Sequence, residues 1–369
     1  MFHVPFALLG AVRKIAGGRR AAKSRTELRG QGELPKDPFI PDHYIEWLPL
    51  AYWKILADKH HKDIDLIYAS GPPFSVHLLG YLLKAKLKKP LVLEYRDVLT
   101  DDPYNKSFEI KEKANRFLEK LFVKNADAIV SVSQPIIDQV LEKHGLQNLK
   151  AKCFEIPSAF DPKDFQRVDA TLPASNQFVI SLTTTLYGAR RPDILFSTLS
   201  KLKSDGVFDG IEFLLNIYGY NDVDRFQGQL EKLGIQDIVQ FKGFIPHADC
   251  LAILKGSTFN LDLGEQDFDY PTLPFHYWEY LGTGTKVLHF GFSNHYKAKF
   301  TAGNGIGIIL PIEDPARIYD ILAGFVREFK EGTLDTKLDP EVVAAQTWVS
   351  RVGLLAKIIR AIEHNKKNR

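Results

Sequence analysis

The chain has 369 residues, 45% of them apolar and 25% charged, with a formal net charge of +3 and two cysteines. That length suffices for two domains and a large core, and the composition is that of an ordinary globular protein. The small net charge implies no nucleic-acid partner. Cys153 and Cys250 form neither a disulfide framework nor a metal motif, and no apolar run reaches membrane-spanning length.

The expected compartment is reducing, hence cytoplasmic. The amino terminus is unusual, because an apolar stretch, Met1 to Val12, precedes seven Lys or Arg between Arg13 and Arg29, against the single acid Glu27. A signal peptide has the opposite order. Residues 1–34 therefore read as a solvated basic segment, a remnant of a longer domain, or a contact with the inner face of an anionic membrane.

Regular patterning starts near Pro35. A helix is expected over Asp42–His60, a buried strand over Asp65–Ser70, a break at Gly71-Pro72-Pro73 and a helix over Phe74–Leu87. Pro90–Tyr95 reads as a second strand ending in Arg96-Asp97, and Phe108–Lys124 as a long amphipathic helix. Ala128–Val132 is a third strand, Gln134–His144 a helix, and Cys153–Ile156 closes this half. Strands alternating with helices argue for a parallel sheet covered on both faces, with ligands at the carboxyl ends of the strands. Ser70, Gly71, Pro72 and Pro73 occupy that position, and so do Arg96 and Asp97. The latter two are either a mutual ion pair that holds the loop or groups that meet a polar substrate. His77 reads as a packing residue.

Residues 157–176 are rich in Pro, Asp and Ser and read as the connection between domains. The alternation then restarts. Strands are expected at Phe178–Leu182, Ile211–Tyr218, Ile238–Lys242, Thr258–Leu263, Lys286–Phe290 and Ile306–Leu310. Helices are expected at Pro192–Leu202, Asp224–Leu233, His247–Leu254, Pro315–Phe329 and Thr347–Ile362, ahead of a basic tail from His364. The domains so read are 35–160, a linker 161–176, 177–345, and a closing helix with its tail over 346–369.

Two stretches of the second half carry chemistry. Tyr270–Gly284 reads as a short helix opened by Thr272 and Pro274 and closed by Gly282 or Gly284. Within it Glu279 stands between Trp278 and Tyr280, and a carboxylate in so apolar a setting needs a partner. A ribose with two adjacent hydroxyls fits; so does a structural arginine or a backbone amide. The loop Thr183–Pro192 follows a strand and opens a helix, so free amides, a positive helix end and the guanidinium groups of Arg190 and Arg191 converge there. That is either an exposed basic turn or a diphosphate site. With Glu279 on the same sheet edge and Gly243-Phe244-Ile245-Pro246 at another strand end, the set makes a nucleotide-diphosphate constellation. Neither a P-loop nor the dinucleotide glycine fingerprint is present.

Ser70–Ser75 and Glu94–Asp97 resemble the amino-terminal half of family-4-like glycosyltransferases of the GT-B fold. Leu186–Arg190, Phe241–Pro246 and Trp278–Leu281 resemble the donor half, and the likeness runs from about Pro41 to Ile362. The resemblance implies an α/β architecture of two Rossmann-like parallel-sheet domains facing a cleft, the amino-terminal one incomplete here. It implies a nucleotide-diphosphate sugar donor, retention of anomeric configuration, and a final helix crossing back to the first domain. Carried over, Glu279 holds the ribose, Arg190 neutralises the diphosphate with Arg191 as helper, and Gly243, Phe244 and Ile245 frame the base. Gly188, His276, Tyr280 and Leu281 complete the donor side. Arg96 and Asp97 are the expected catalytic pair, with Ser70 to Pro73 lining the acceptor-side cleft. No metal is expected, since fixed positive charge and helix-end amides stabilise the leaving diphosphate.

The chain departs from the family pattern in four places. The strands and glycine-rich loop usual before Pro41 have no counterpart, and the loop glycine near Thr184 is replaced. The usual lysine one turn before the glutamate is His276, and the usual Asn-Gly is Ser158-Ala159. The expected function is transfer of a sugar to a glycan or lipid-linked acceptor, in surface polysaccharide or glycoconjugate synthesis. The alternatives are a non-catalytic sugar-nucleotide-binding scaffold and a sugar-nucleotide epimerase.

Overall fold

The structure is a computed structural model and describes residues 38–104 and 108–367. The basic segment 1–34 lies outside the described residues. Two compact units divide the chain, one up to Val130 and one from Ser131 onward.

The first unit begins with α1 (Leu48–Ala57). The helix expected over 42–60 is shorter, because 3-10 turns at Ile45–Trp47 and Lys59–Asp63 flank it. Next come β1 (Ile67–Gly71), α2 (Ser75–Leu87), β2 (Leu91–Tyr95), α3 (Glu109–Asn125) and β3 (Ala128–Ser131). The chain continues through α4 (Gln134–His144) to β4 (Cys153–Glu155), and the sheet order is β1-β2-β3-β4. β1 and β2 are parallel, in a register that pairs Gly71 with Tyr95. His77 is indeed a packing residue: fully buried, beside Phe74 and Tyr95, with burial pushing its pKa down to about 4.

After α5 (Pro162–Gln166) the second sheet is built. Its elements are β5 (Gln177–Thr183), α6 (Asp193–Ser204), β6 (Glu212–Tyr218), α7 (Val223–Leu233), β7 (Val239–Gly243), α8 (His247–Gly256) and β8 (Phe259–Leu263). α9 (Phe275–Gly282), β9 (Val287–Gly291), α10 (Tyr296–Gly303), β10 (Gly307–Pro311), α11 (Pro315–Glu331), α12 (Pro340–Ala345) and α13 (Trp348–Lys367) follow. The six strands lie in the order β10-β9-β8-β5-β6-β7, all neighbours parallel. The chain therefore walks outward from β5 through β6 and β7, returns, and walks the other way from β8. The reversal falls between β5 and β8, and parallel sheets form their ligand crevice at such a switch.

Apolar strand residues face helices on both sides, as the unbroken hydrophobic runs require. One face packs Phe178, Phe213, Phe259, Leu199 and Leu322. The other packs Tyr277, Trp278 and Leu281 of α9 against Leu251 and Leu254 of α8. Burying each such side chain contributes about 1.5–3 kcal/mol. α9 opens two positions later than a Thr272 cap would give, since Pro274 is its N-cap residue and no side chain caps it.

Residues 157–176 do more than connect. Phe160 and Phe165, the latter on α5, pack into the α8–α9 face. Thr171 N–H bonds the Ala252 carbonyl at 2.9 Å, and Lys255 Nζ donates to the Phe165 carbonyl at 3.1 Å. Contact with α8 is so close that a β-carbon at Gly256 would lie 1.9 Å from the Thr171 carbonyl oxygen. Gly256→Ala is therefore expected to destabilise the protein by about 1–3 kcal/mol through overpacking. A lowered urea midpoint checks this; an unchanged midpoint would show that the segment is not seated on α8.

Besides α5, which lies inside the stretch read as a connection, two helices were not legible in the sequence. The inward face of α10 carries Lys297 and Thr301, which interrupt the apolar period. α12 has six residues, none buried, and rests on Asp339, which accepts from Glu341 N–H.

Candidate functional site

The β5–β8 switch is closed by side chains from both following loops. Gly188 takes the left-handed conformation, φ +53°, and turns the loop after β5 so that Arg190 N–H bonds the Tyr187 carbonyl. Arg190 then crosses to Glu265, two residues beyond β8. Its Nε and Nη2 donate to Glu265 Oε1 at 3.0 and 2.8 Å, and Nη1 donates to Thr184 Oγ1 at 3.1 Å. The other Glu265 oxygen accepts from Lys297 Nζ of α10 at 2.6 Å. Side-chain exposure is 13% for Arg190, 1% for Glu265 and 3% for Lys297, so the guanidinium is the outermost of the three. Gln266 ties the loops further: its N–H bonds the Ala189 carbonyl, and its side-chain amide bonds the Arg191 carbonyl.

The remaining loops join the same edge. Asn221, after β6, accepts from Leu186 N–H and donates to the Thr184 carbonyl. Gly219 N–H bonds the Gly243 carbonyl at 2.9 Å, and Gly243 has φ +71°. Phe244 stacks on Tyr220 with centroids 5.0 Å apart and rings 13° from parallel, and both rings are exposed. Ile245 beside them is half-buried.

α9 is fixed to β5 through Tyr280, whose hydroxyl lies 2.9 Å from both the N–H and Oγ1 of Thr183. This bond brings the Glu279 helix to the strand that carries the Arg190 loop. Tyr280 and Leu281 are fully buried, so they seat the helix rather than face a ligand. Glu279 is 13% exposed and accepts from His247 Nε2 of α8 at 2.7 Å. Burial, with the Glu279 charge beside it, pushes the Cys250 thiol up to about 12. His276, one turn before Glu279, meets Asp262 Oδ1 through Nε2 at 3.1 Å.

Arg191 turns away from Arg190. Its Nη1 and Nη2 pair with Asp267 at 3.0 and 2.8 Å in an exposed fork. Neither arginine sits on the helix as a bare cation, because α6 starts at Asp193 and each arginine already has a carboxylate.

In the first unit, the expected residues gather at the carboxyl ends of β1 and β2. Arg96 N–H bonds the Gly71 carbonyl at 2.9 Å, so the Ser70–Pro73 loop and Arg96 are neighbours. Asp97 Oδ1 accepts from Val98 N–H. Arg96 is exposed. Gly71 admits no side chain: a β-carbon would lie 2.9 Å from the Phe74 ring and 3.0 Å from the His77 ring.

Sequence reasoning missed Glu265, Lys297, Asp262, His289 and His247. Glu265 stands two residues after a strand, as Asp97 does, and that signal could have found it. Asp262 alternates with Asn260 along β8, and His289 stands inside the apolar run of β9. Lys297 had no signal, since its helix was not recognised. Among the described residues, no group of three or more His, Cys, Asp or Glu side chains is placed to hold a metal ion, and no helix is long and apolar enough to cross a membrane.

Residues 12–164 match the model of Glycosyltransferase Family 4. No curated protein sequence matches the chain significantly. Among solved structures, HepE of Anabaena in complex with UDP is similar at 16% identity and TM-score 0.62, over 85% of this chain and 82% of that one. A glycosyltransferase from Rickettsia africae is similar at 13% identity and TM-score 0.58, over 90% and 83% of the two chains. Sucrose-phosphate synthase from Thermosynechococcus elongatus gives 17% identity and TM-score 0.57, over 87% and 79%. At these identities the structural likeness is one of fold. The two parallel-sheet units have the GT-B fold of these solved structures, and residues 12–164 are similar to Glycosyltransferase Family 4.

Proposed function

We propose that the protein transfers a sugar, with retention of configuration, from a nucleotide-diphosphate sugar to a glycan or lipid-linked acceptor. The biosynthesis of a surface polysaccharide or glycoconjugate is the setting this reading favours. The observation that carries it is that the Arg190 loop leaves the carboxyl end of β5 and the Glu279 helix is tied, through Tyr280, to Thr183 at the same strand end. HepE, which shares the fold, was solved with UDP and with UDP and glucose.

In this reading the Glu279 carboxylate, steadied by His247, accepts from the ribose hydroxyls. Arg190 meets the diphosphate, and Gly243, Phe244 and Ile245 frame the base. Arg96, Asp97 and the Ser70–Pro73 loop serve the acceptor and the reacting sugar. The anomeric carbon–oxygen bond breaks with its electron pair leaving on the diphosphate. The acceptor oxygen bonds the anomeric carbon, and its proton is lost. Fixed donors aimed at the charge that develops on the diphosphate are what accelerate such a step. The reading makes the protein cytoplasmic, with the basic residues 13–29 touching the membrane surface.

A panel of UDP-, GDP- and ADP-sugars tests this by nucleotide release with and without a glycan acceptor, the product anomer being read by NMR. Release from one donor, with the anomeric configuration kept and with Glu279→Ala inactive but folded, is expected. Full turnover by Glu279→Ala would remove the ribose assignment, and an inverted product would remove retention.

A further inference from the structure

Asp262, near the end of β8, is buried, and each of its oxygens meets an imidazole. Oδ1 lies 3.1 Å from His276 Nε2, and Oδ2 lies 2.8 Å from His289 Nδ1. A carboxylate only accepts, so each histidine presents an N–H to it. His289 is the cross-strand partner of Asp262 and lies close against Gly264 and Gly291: a β-carbon at Gly291 would lie 2.6 Å from its Nε2, and one at Gly264 3.2 Å from its Cε1. His276 differs. It sits on the first turn of α9, partly exposed, on the same face as Glu279.

Burial opposes ionisation of Asp262, but the Lys297 charge and the hydrogen bonds from His276 and His289 outweigh it, holding the carboxyl well below its usual range. Asp262 therefore stays an anion. The fixed charges then leave one net negative charge, Asp262, Glu265 and Glu279 against Arg190 and Lys297. Other groups facing His276 are Glu279 and the Tyr280 ring on its own helix, with His247 of α8 behind Glu279. An arriving diphosphate brings further negative charges to a set whose permanent charges already sum to minus one. Imidazole is the side chain whose charge changes near neutral pH, and an adjacent anion favours its charged form.

Resting on the donor-site reading above, we propose that His276 is the proton-linked member of the site. Asp262, braced by His289, holds the imidazole by Nε2–H, and Nδ1 takes up one proton from solvent when a nucleoside diphosphate binds. One N–H bond forms, no other covalent bond changes, and the set passes from singly negative to neutral beside the phosphates. Such charge-assisted hydrogen bonds are roughly twice as strong as neutral ones. Because binding consumes a proton, affinity falls as pH rises, by up to about tenfold per pH unit. Asp262 is a positioning residue here, acting through His276.

Isothermal calorimetry tests the proposal. UDP, GDP and ADP are each titrated into the full-length protein at about pH 7.5, in buffers of different ionisation enthalpy, so that the proton count per nucleotide is obtained. His276→Gln runs in parallel, and the difference from wild type removes the nucleotide's own protons from the count. The expected result is a difference approaching one proton, with weaker but measurable binding by His276→Gln. Asp262→Asn is expected to lose most of the same uptake; if that buried variant fails to fold, His276→Gln still decides. Equal proton counts in wild type and His276→Gln overturn this proposal and leave the donor-site reading standing. Failure of all three nucleotides to bind wild type overturns both.

Discussion

Arg190→Ala is expected to lower donor turnover by roughly 100- to 1000-fold, the usual consequence of removing one fixed donor from developing charge. The fold should survive, because Glu265 keeps Lys297 at 2.6 Å and the buried pair remains balanced. Turnover is read as kcat/KM for nucleotide release, and the fold as a melting temperature close to wild type. Arg190→Lys should recover only part of the loss, since Nε and Nη2 grip Glu265 as a fork and an ammonium cannot. Arg191→Ala is the control. Its guanidinium is 39% exposed and forked on Asp267, so a small effect is expected. Equal losses from Arg190→Ala and Arg191→Ala would mean that the basic turn acts as a diffuse patch rather than through one aimed group.

What the sequence made legible follows from how each feature is encoded. Strands such as Phe259–Leu263 and helices such as Gln134–His144 declare themselves by hydrophobic period and by punctuation at Gly and Pro. The Arg190 loop and Glu279 were legible because a charged residue beside a strand end, or inside an apolar helix, breaks a pattern that is otherwise apolar. Their mutual placement followed from parallel-sheet topology. The charge partners were hidden for the opposite reason. Lys297 lies 32 positions from Glu265 and makes its own helix look aperiodic. His289 interrupts β9 once and Asp262 follows Asn260 in β8, and only the β8–β9 register puts His289 and Asp262 face to face. The segment 157–176 misled because its composition is that of a loop, whereas its position is set by two aromatic anchors, Phe160 and Phe165.

Two carboxylates two positions apart should behave oppositely when removed. Glu265 is 1% exposed and shared by Arg190 and Lys297, whereas Asp267 is 53% exposed and holds Arg191 alone. Glu265→Ala leaves two cations facing each other with little water, a situation that costs about 3–5 kcal/mol. Asp267→Ala breaks an exposed pair and should cost about 1 kcal/mol or less. Urea unfolding of the two variants measures the contrast, and similar midpoints would show that solvent already reaches Glu265. A double variant separates lost attraction from stranded charge. Adding Lys297→Met to Glu265→Ala removes the more deeply buried ammonium, so the pair should lose less stability than Glu265→Ala alone, although two side chains are then gone. Were Glu265 merely one of several equivalent contacts, the second substitution would add to the loss instead.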